Sequence, residues 1–229
     1  MERLGTSYGG WFIPKECKLD ENSIIYSVGV GEDISFDIKI QTKYKSNIVL
    51  LDPTKRAIKH FEECKQYFKN DKKYKFIGNI QPDYYQNIIT EEPNFDKINY
   101  VEIGVWDKPD KLKFYRQSNN KNVSQSLIVD MFTSDYDTVD VDSLKNIMKR
   151  LNHNYIDLLK IDIEGAEINV LNQMLDDNIF PKYLCVEFDL FLKAKDKDNV
   201  TKLVINRLLQ NNYKILINDN MNITFIRDI

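Results

Sequence analysis

The chain has 229 residues, 42% of them hydrophobic, with 32 Lys and Arg against 35 Asp and Glu. That hydrophobic share can fill the core of one medium α/β domain, and the near-balanced charge gives no overall reason to expect a nucleic-acid partner. Cys17, Cys64 and Cys185 lie far apart with no C-x-x-C spacing, which argues against a cysteine zinc site and suits a reducing, cytoplasmic setting. No apolar run reaches the ~20 residues of a membrane span, and the first residues lack a signal-length apolar segment.

Residues 1–22, beginning "MERLGTSYGGWFIP", precede the first core element. "SIIYSV" (Ser23 to Val28) is a short β-branched run that stops at glycine and reads as a buried strand. "EDISFDIKIQTKY" reads as a helix and "NIVLLD" (Asn47 to Asp52) as a second buried strand. "PTKRAIKHFEECKQYFKN" has Pro53 near a helix start, where its missing N–H is harmless, and Ile58, Phe61, Cys64 and Phe68 on one face. "YKFIGNI" suggests a strand and "DYYQNIIT" a short helix.

"INYVEIGVWD" (Ile98 to Asp107) predicts a third strand and "KLKFYRQ" a neighbouring one. The polar "SNNKNVSQSL" predicts a loop. After it come a helix in "VDSLKNIMKRL", a strand in "YIDLLKID", a helix in "GAEINVLNQML" and a strand in "YLCVEFD". A last helix, "DNVTKLVINRLLQNN", leads to a closing pair, "YKILIND" and "NITFIRD", with Asp219 and Asn220 in the turn. Alternation of strand and helix predicts right-handed crossovers and a mostly parallel sheet. The final pair, with no helix between, makes one strand antiparallel. The expectation is a single domain over 1–229, with 1–22 as a lid or substrate segment and 23–229 as the core.

In open α/β sheets, ligands sit beyond the carboxyl ends of the strands. There "GVGED" places Gly29 and Gly31, and Asp52 follows 21 residues after Gly31 at the end of the next strand. A carboxylate so placed can accept ribose hydroxyls; a turn and a helix cap would explain the same residues. Ile34 stands where a dinucleotide loop has its third glycine, and Glu32 and Asp33 would repel a pyrophosphate. S-adenosylmethionine has no phosphate, so the loop points to a methyl donor more than to NAD. At the end of the third strand, Val105 or Trp106 can cover an adenine, although Trp106 suits core packing equally well.

"LLKIDIEGAE" is the most unusual stretch. Side chains alternate along a strand, which sends Lys160, Asp162 and Glu164 in one direction at a strand end. Buried charges need partners, so the alternatives are a working site or a pair that ties the sheet to a helix. Glu187 and Asp189 in "CVEFD" repeat the pattern more weakly.

These motifs carry a resemblance. "VDSLKNIM…NHNYIDLLKIDIEGAEINVLNQML", with "YSVGVGED", "VLLDP", "IGVWDKPDKLKFYRQ" and "VSQSL", resembles the FkbM family of S-adenosylmethionine-dependent methyltransferases over about Tyr8 to Asp189. The resemblance implies a Rossmann-like class I methyltransferase fold: seven strands, the last antiparallel, with helices on both faces. It implies O-methylation of hydroxyls on sugars and polyketide-type products, with S-adenosylhomocysteine released. Carried onto this chain, Gly29, Val30, Gly31 and Glu32 line the methionine end of the cofactor, Asp52 holds the ribose, and Val105 and Trp106 flank the adenine. The tryptophan at "IGVWD" departs from the family pattern.

Lys160, Asp162 and Glu164 then face the methyl-transfer site. Asp162 is the first candidate for general base, with Glu164 and Glu187 behind it and Lys160 orienting it. A Mg²⁺ alternative would use Asp162, Glu187 and Asp189, but Lys160 beside them already supplies positive charge. Tyr8 can reach the cofactor carboxylate and Trp11 can stack on a sugar, or the segment simply staples onto the core. Ser124 and Ser126 offer hydroxyls to an acceptor. The competing readings are an NAD-dependent sugar oxidoreductase and a non-catalytic binding module. Nucleic-acid methylation is disfavoured by the net charge and by the lack of an N/D-P-P-Y/F sequence.

Overall fold

Apolar residues on both faces of short strands demand helices on both sides of a sheet. The computed structural model, which describes residues 1–77, 80–117, 125–126, 132–189 and 199–228, has that architecture. The chain opens with a small hairpin, β1 (Glu2–Leu4) and β2 (Trp11–Ile13). It continues through β3 (Ile24–Val28), α1 (Ser35–Tyr44), β4 (Asn47–Leu51), α2 (Lys55–Lys69), α3 (Tyr84–Ile88) and β5 (Ile98–Val101). Next come β6 (Gly104–Val105), β7 (Asp110–Gln117), β8 (Gln125–Ser126) and β9 (Phe132–Asp142). The rest is α4 (Leu144–Arg150), β10 (Leu158–Ile161), α5 (Glu167–Asp176), β11 (Tyr183–Glu187), α6 (Val200–Gln210), β12 (Tyr213–Asp219) and β13 (Asn222–Arg227).

The main sheet has seven strands in the order β12-β13-β11-β10-β3-β4-β5. β11, β10, β3, β4 and β5 are parallel, and β13 is antiparallel to both its neighbours. This is the Rossmann-like methyltransferase arrangement expected from the sequence. Strand pleating sends alternate residues to opposite faces. Tyr26, Val49, Leu159 and Leu184 join one buried layer with α4, α5 and α6, while Ile25, Ile48, Leu158 and Cys185 join another with α1, α2 and α3. The chain order reverses between β3 and β10, which opens a crevice at their carboxyl ends. Among the described residues, no helix is long and apolar enough to cross a membrane.

The structure departs from the sequence expectations in five places, the first being β8 (Gln125–Ser126), a strand within the predicted loop. The predicted third strand breaks at Glu102 and Ile103, where the Ile103 N–H folds back onto the Val101 carbonyl at 2.8 Å. Its two halves, β5 and β6, lie in different sheets. Gly104 is required just after the break, since a Cβ there would come within 2.8 Å of Val141 Cγ1. β9 was not anticipated, and it takes Val141 and Asp142 out of the predicted helix into the second sheet, β6-β9-β7-β8. Residues 74–77 form no strand; Phe76 turns inward against the rings of His60, Tyr67, Tyr84 and Tyr85. Within α2, Ala57, Phe61, Cys64 and Tyr67 are buried, whereas Ile58 and Phe68 are only half-buried.

Trp11 also needs correcting as a sugar-stacking residue. It is 3% exposed and packs in the layer with Leu4, Ile13 and α1, so its ring cannot be presented to an acceptor. Truncation of Trp11 to alanine is expected to destabilise the fold by about 3–5 kcal/mol, measured by denaturant unfolding. Unchanged stability with lost turnover would restore the stacking role.

Candidate active site

β3 delivers the chain to the crevice at Val28. Gly29 then takes φ 72° and Gly31 φ 55°, backbone angles that side chains disfavour. Gly29 has a second constraint. A Cβ there would stand 1.8 Å from the Asp162 carbonyl oxygen, so the glycine loop is pressed against the turn that follows β10. The Gly29 N–H donates to the Leu51 carbonyl at 2.9 Å, which ties the loop to β4 as well.

Lys160 joins the two loops through its side chain. It is 4% exposed on β10, and its Nζ donates to the Gly29 carbonyl at 2.6 Å and lies 3.4 Å from Asp162 Oδ2. Asp37 of α1 lies buried behind it. Burial pushes that carboxyl up to about 6, and the Lys160 charge works against the rise. The expected strand alternation accounts for only part of this cluster. β10 ends at Ile161, and Glu164 comes to the crevice through a left-handed turn residue with φ 54°.

Asp52 braces the other side of the loop. Its Oδ2 accepts the Gly31 N–H at 3.0 Å, and its Oδ1 accepts the Thr54 N–H at 2.8 Å. Burial raises this carboxyl above the ordinary range, against the lowering effect of those N–H groups. Thr54 caps α2 by accepting the Ala57 N–H, and Tyr100 donates to the Asp52 carbonyl at 2.9 Å.

These elements enclose a cavity of about 350 Å³. Gly29, Val30, Gly31, Glu32 and Asp52 line one side, and Lys160, Asp162, Glu164 and Glu187 line another. Gly31 opens onto free space, with no atom within 4 Å of the point where a Cβ would stand. Tyr8, 62% exposed, is part of the rim. Glu187 is pushed up to about 9, first by burial and then by the neighbouring Asp162 carboxylate.

Several expected residues stand elsewhere. Trp106 is not in the lining; its backbone N–H donates to the Asp142 carbonyl at 2.9 Å, and Val105 and Phe114 form that wall. Asp33 reaches the lining, but its carboxylate turns to Thr6 and Ser35. Glu32 pairs with Arg56 at 2.7 Å. Asp189 is buried outside the lining beside Glu167, whose carboxyl is pushed up to about 8 by burial and then by Asp189. Among the described residues, no three Asp, Glu, His or Cys side chains converge as a cation site requires. The Mg²⁺ set of Asp162, Glu187 and Asp189 is therefore not assembled. Ser124 lies outside the described residues, as does the side chain of Ser126, whose backbone pairs with Tyr115. Phe114, Ile163 and Met221 were not anticipated in the lining. The alternation of "KLKFYRQ" marked Phe114 as one face of a strand, but nothing local aimed that face at the cavity.

No curated protein sequence matches the chain significantly. Among solved structures, the chain is similar to a fibrillarin pre-rRNA processing protein of Methanococcus jannaschii. The identity is 10% and the TM-score 0.44, over 90% of this chain and 66% of that one. It is also similar to the N-terminal domain of human METTL16 in complex with SAH, at 8% identity and TM-score 0.43, over 91% of this chain and 62% of that one. The chain thus spans a little under two thirds of either length. A family model described as the methyltransferase FkbM domain matches residues 11–215. With nearly the whole chain matched, from β2 into β12, this protein belongs to the FkbM family of S-adenosylmethionine-dependent methyltransferases.

Proposed function

We infer that the chain methylates a hydroxyl of a sugar, glycan or related small molecule, as one domain in which residues 1–22 cover the cavity. The observation that carries this reading is the charge of the cavity. Among the described residues its lining has six carboxyl side chains against the one ammonium of Lys160. That ammonium is engaged by the Gly29 carbonyl and Asp162. Among the described residues the lining offers no free cation to a phosphate, which disfavours a pyrophosphate cofactor or a nucleic-acid backbone. The open face of Gly31 and the adjacent Asp52 carboxylate suit an adenosyl group, and the volume is in the range of small-ligand sites.

When bound, S-adenosylmethionine supplies a methyl group carried on a positively charged sulfur. Asp52 would hold its ribose, and Val105 with Phe114 would wall its adenine. The chain's own task is to align an acceptor oxygen and remove its proton. An alcohol is a weak nucleophile while it keeps that proton. Burial and the neighbouring Asp162 push the Glu187 carboxyl up, and Asp162, held beside Lys160, is the proposed base. Lys160, 3.4 Å from Asp162 Oδ2, fixes that carboxylate against the glycine loop. The remaining gain comes from alignment, which removes much of the entropic barrier.

S-adenosylmethionine and S-adenosylhomocysteine are expected to raise the melting temperature, and NAD to leave it unchanged; a response to NAD alone would reverse the cofactor assignment. Asp52→Ala should weaken donor binding about tenfold, read by titration calorimetry. Asp162→Asn should leave that affinity within about twofold and lower kcat by about 100-fold; wild-type turnover would remove Asp162 from the role of base.

The raised Glu187 carboxyl also predicts a pH dependence. Between the ordinary value of 4.5 and about 9, the folded state binds a proton that the unfolded chain lacks. Stability should therefore fall as pH rises through that window. Glu187→Gln should flatten the decline in denaturant unfolding; an unaltered slope would show that Glu187 titrates normally.

A further inference from the structure

The turn that carries Tyr8 hangs on one buried hydroxyl. Thr6 has no exposed surface. Its Oγ1 donates to Asp33 Oδ2 at 2.5 Å and accepts the N–H groups of Tyr8 at 3.2 Å and Gly9 at 2.9 Å. One donor and two acceptor positions exhaust what a hydroxyl can do. The Thr6 N–H donates to Ser35 Oγ at 2.9 Å, and Ser35 Oγ in turn donates to Asp33 Oδ1 at 2.6 Å. The Thr6 carbonyl accepts from Gly10 N at 3.1 Å and from Arg3 Nε at 3.0 Å. A second anchor is the Ser7 N–H, which donates to Asp83 Oδ2 at 2.8 Å.

The packing is as tight as the bonding. A Cβ on Gly9 would come within 2.7 Å of Asp33 Cγ, so the turn lies directly on that carboxylate. The two acids after the glycine loop therefore have different partners: Glu32 goes to Arg56, and Asp33 to the N-terminal turn. Asp33 links the loop that lines the floor of the cavity to the turn that forms its rim.

We propose that Thr6 is a positioning residue for the methyl donor: with Asp33 and Ser35 it fixes the turn from Ser7 to Gly9 over the cavity, so that Tyr8 meets the bound donor. This role rests on the cavity being the donor site. Thr6 touches no reacting atom and acts through Tyr8.

Thr6→Val deletes the hydroxyl and keeps the shape; Thr6→Ser keeps the hydroxyl. Two quantities are read: hydrogen exchange at the Tyr8 and Gly9 amides in protein without added ligand, and steady-state kinetics with S-adenosylmethionine. Thr6→Val should speed exchange at both amides about tenfold or more, and raise KM for the donor about tenfold with kcat within about twofold. Thr6→Ser should restore both. In a Tyr8→Ala background, Thr6→Val should add no further rise in KM, because residues acting in series are not additive. Should Thr6→Val fail to fold, Asp33→Asn, which alters the hydroxyl's acceptor, carries the same expectation. Unchanged exchange, or a KM effect that persists in full without Tyr8, overturns the proposal. A wild-type protein that binds no S-adenosylmethionine overturns the donor reading and this role together, while the exchange measurement still decides whether Thr6 holds the turn.

Discussion

A buried ammonium must have partners or it is expelled. Lys160 finds them in the two loops that make the pocket: the Gly29 carbonyl at 2.6 Å and the Asp162 carboxylate at 3.4 Å. That one cation fixes the distance between the glycine loop and the proposed base. Gly29 completes the junction from the other side, because only a residue without a Cβ can lie against the Asp162 carbonyl. The glycine loop and the proposed base are therefore one mechanical unit on the adjacent strands β3 and β10.

The acids around this junction serve distinct ends. Asp52 accepts backbone N–H groups and shapes the loop. Asp33 binds the N-terminal turn, and Glu32 binds Arg56. Asp37 stands behind Lys160, and Glu187 shares the field of Asp162. Crowded carboxyl groups resist ionising together, so burial and mutual repulsion push the Glu187 carboxyl up. Six carboxyl side chains thus stand against the ammonium of Lys160 in the described lining of the cavity.

Much of this was legible in the sequence because it is local. β3, β4, β10 and β11 are short runs buried on both faces, with a glycine or an acid at the carboxyl end, and such runs read as core strands of a parallel sheet. Lys160 and Asp162 were visible as charges at the edge of an apolar strand. The misses are all non-local. In β9, residues 136–140 alternate between exposed and half-buried, a polar pattern that draws its partners from β7 and β6 and has no apolar run of its own. The close approach that calls for glycine at 104 is to Val141, far along the chain. Trp11 reads as a binding residue in isolation, yet it is core once the hairpin docks on α1. Asp33 read as a charge facing the ligand because its partners, Thr6 and Ser35, are set by the fold.

The proposed reaction is methyl transfer to a hydroxyl oxygen of a small-molecule or glycan acceptor. It is tested most directly by incubating the protein with methyl-labelled S-adenosylmethionine and a panel of free and glycan-linked sugars, then locating the label by mass spectrometry and NMR. The expected result is label on a sugar oxygen as a methyl ether, with S-adenosylhomocysteine formed in equal amount. Label on nitrogen, carbon or nucleic acid, with none on any hydroxyl of the panel, would contradict it.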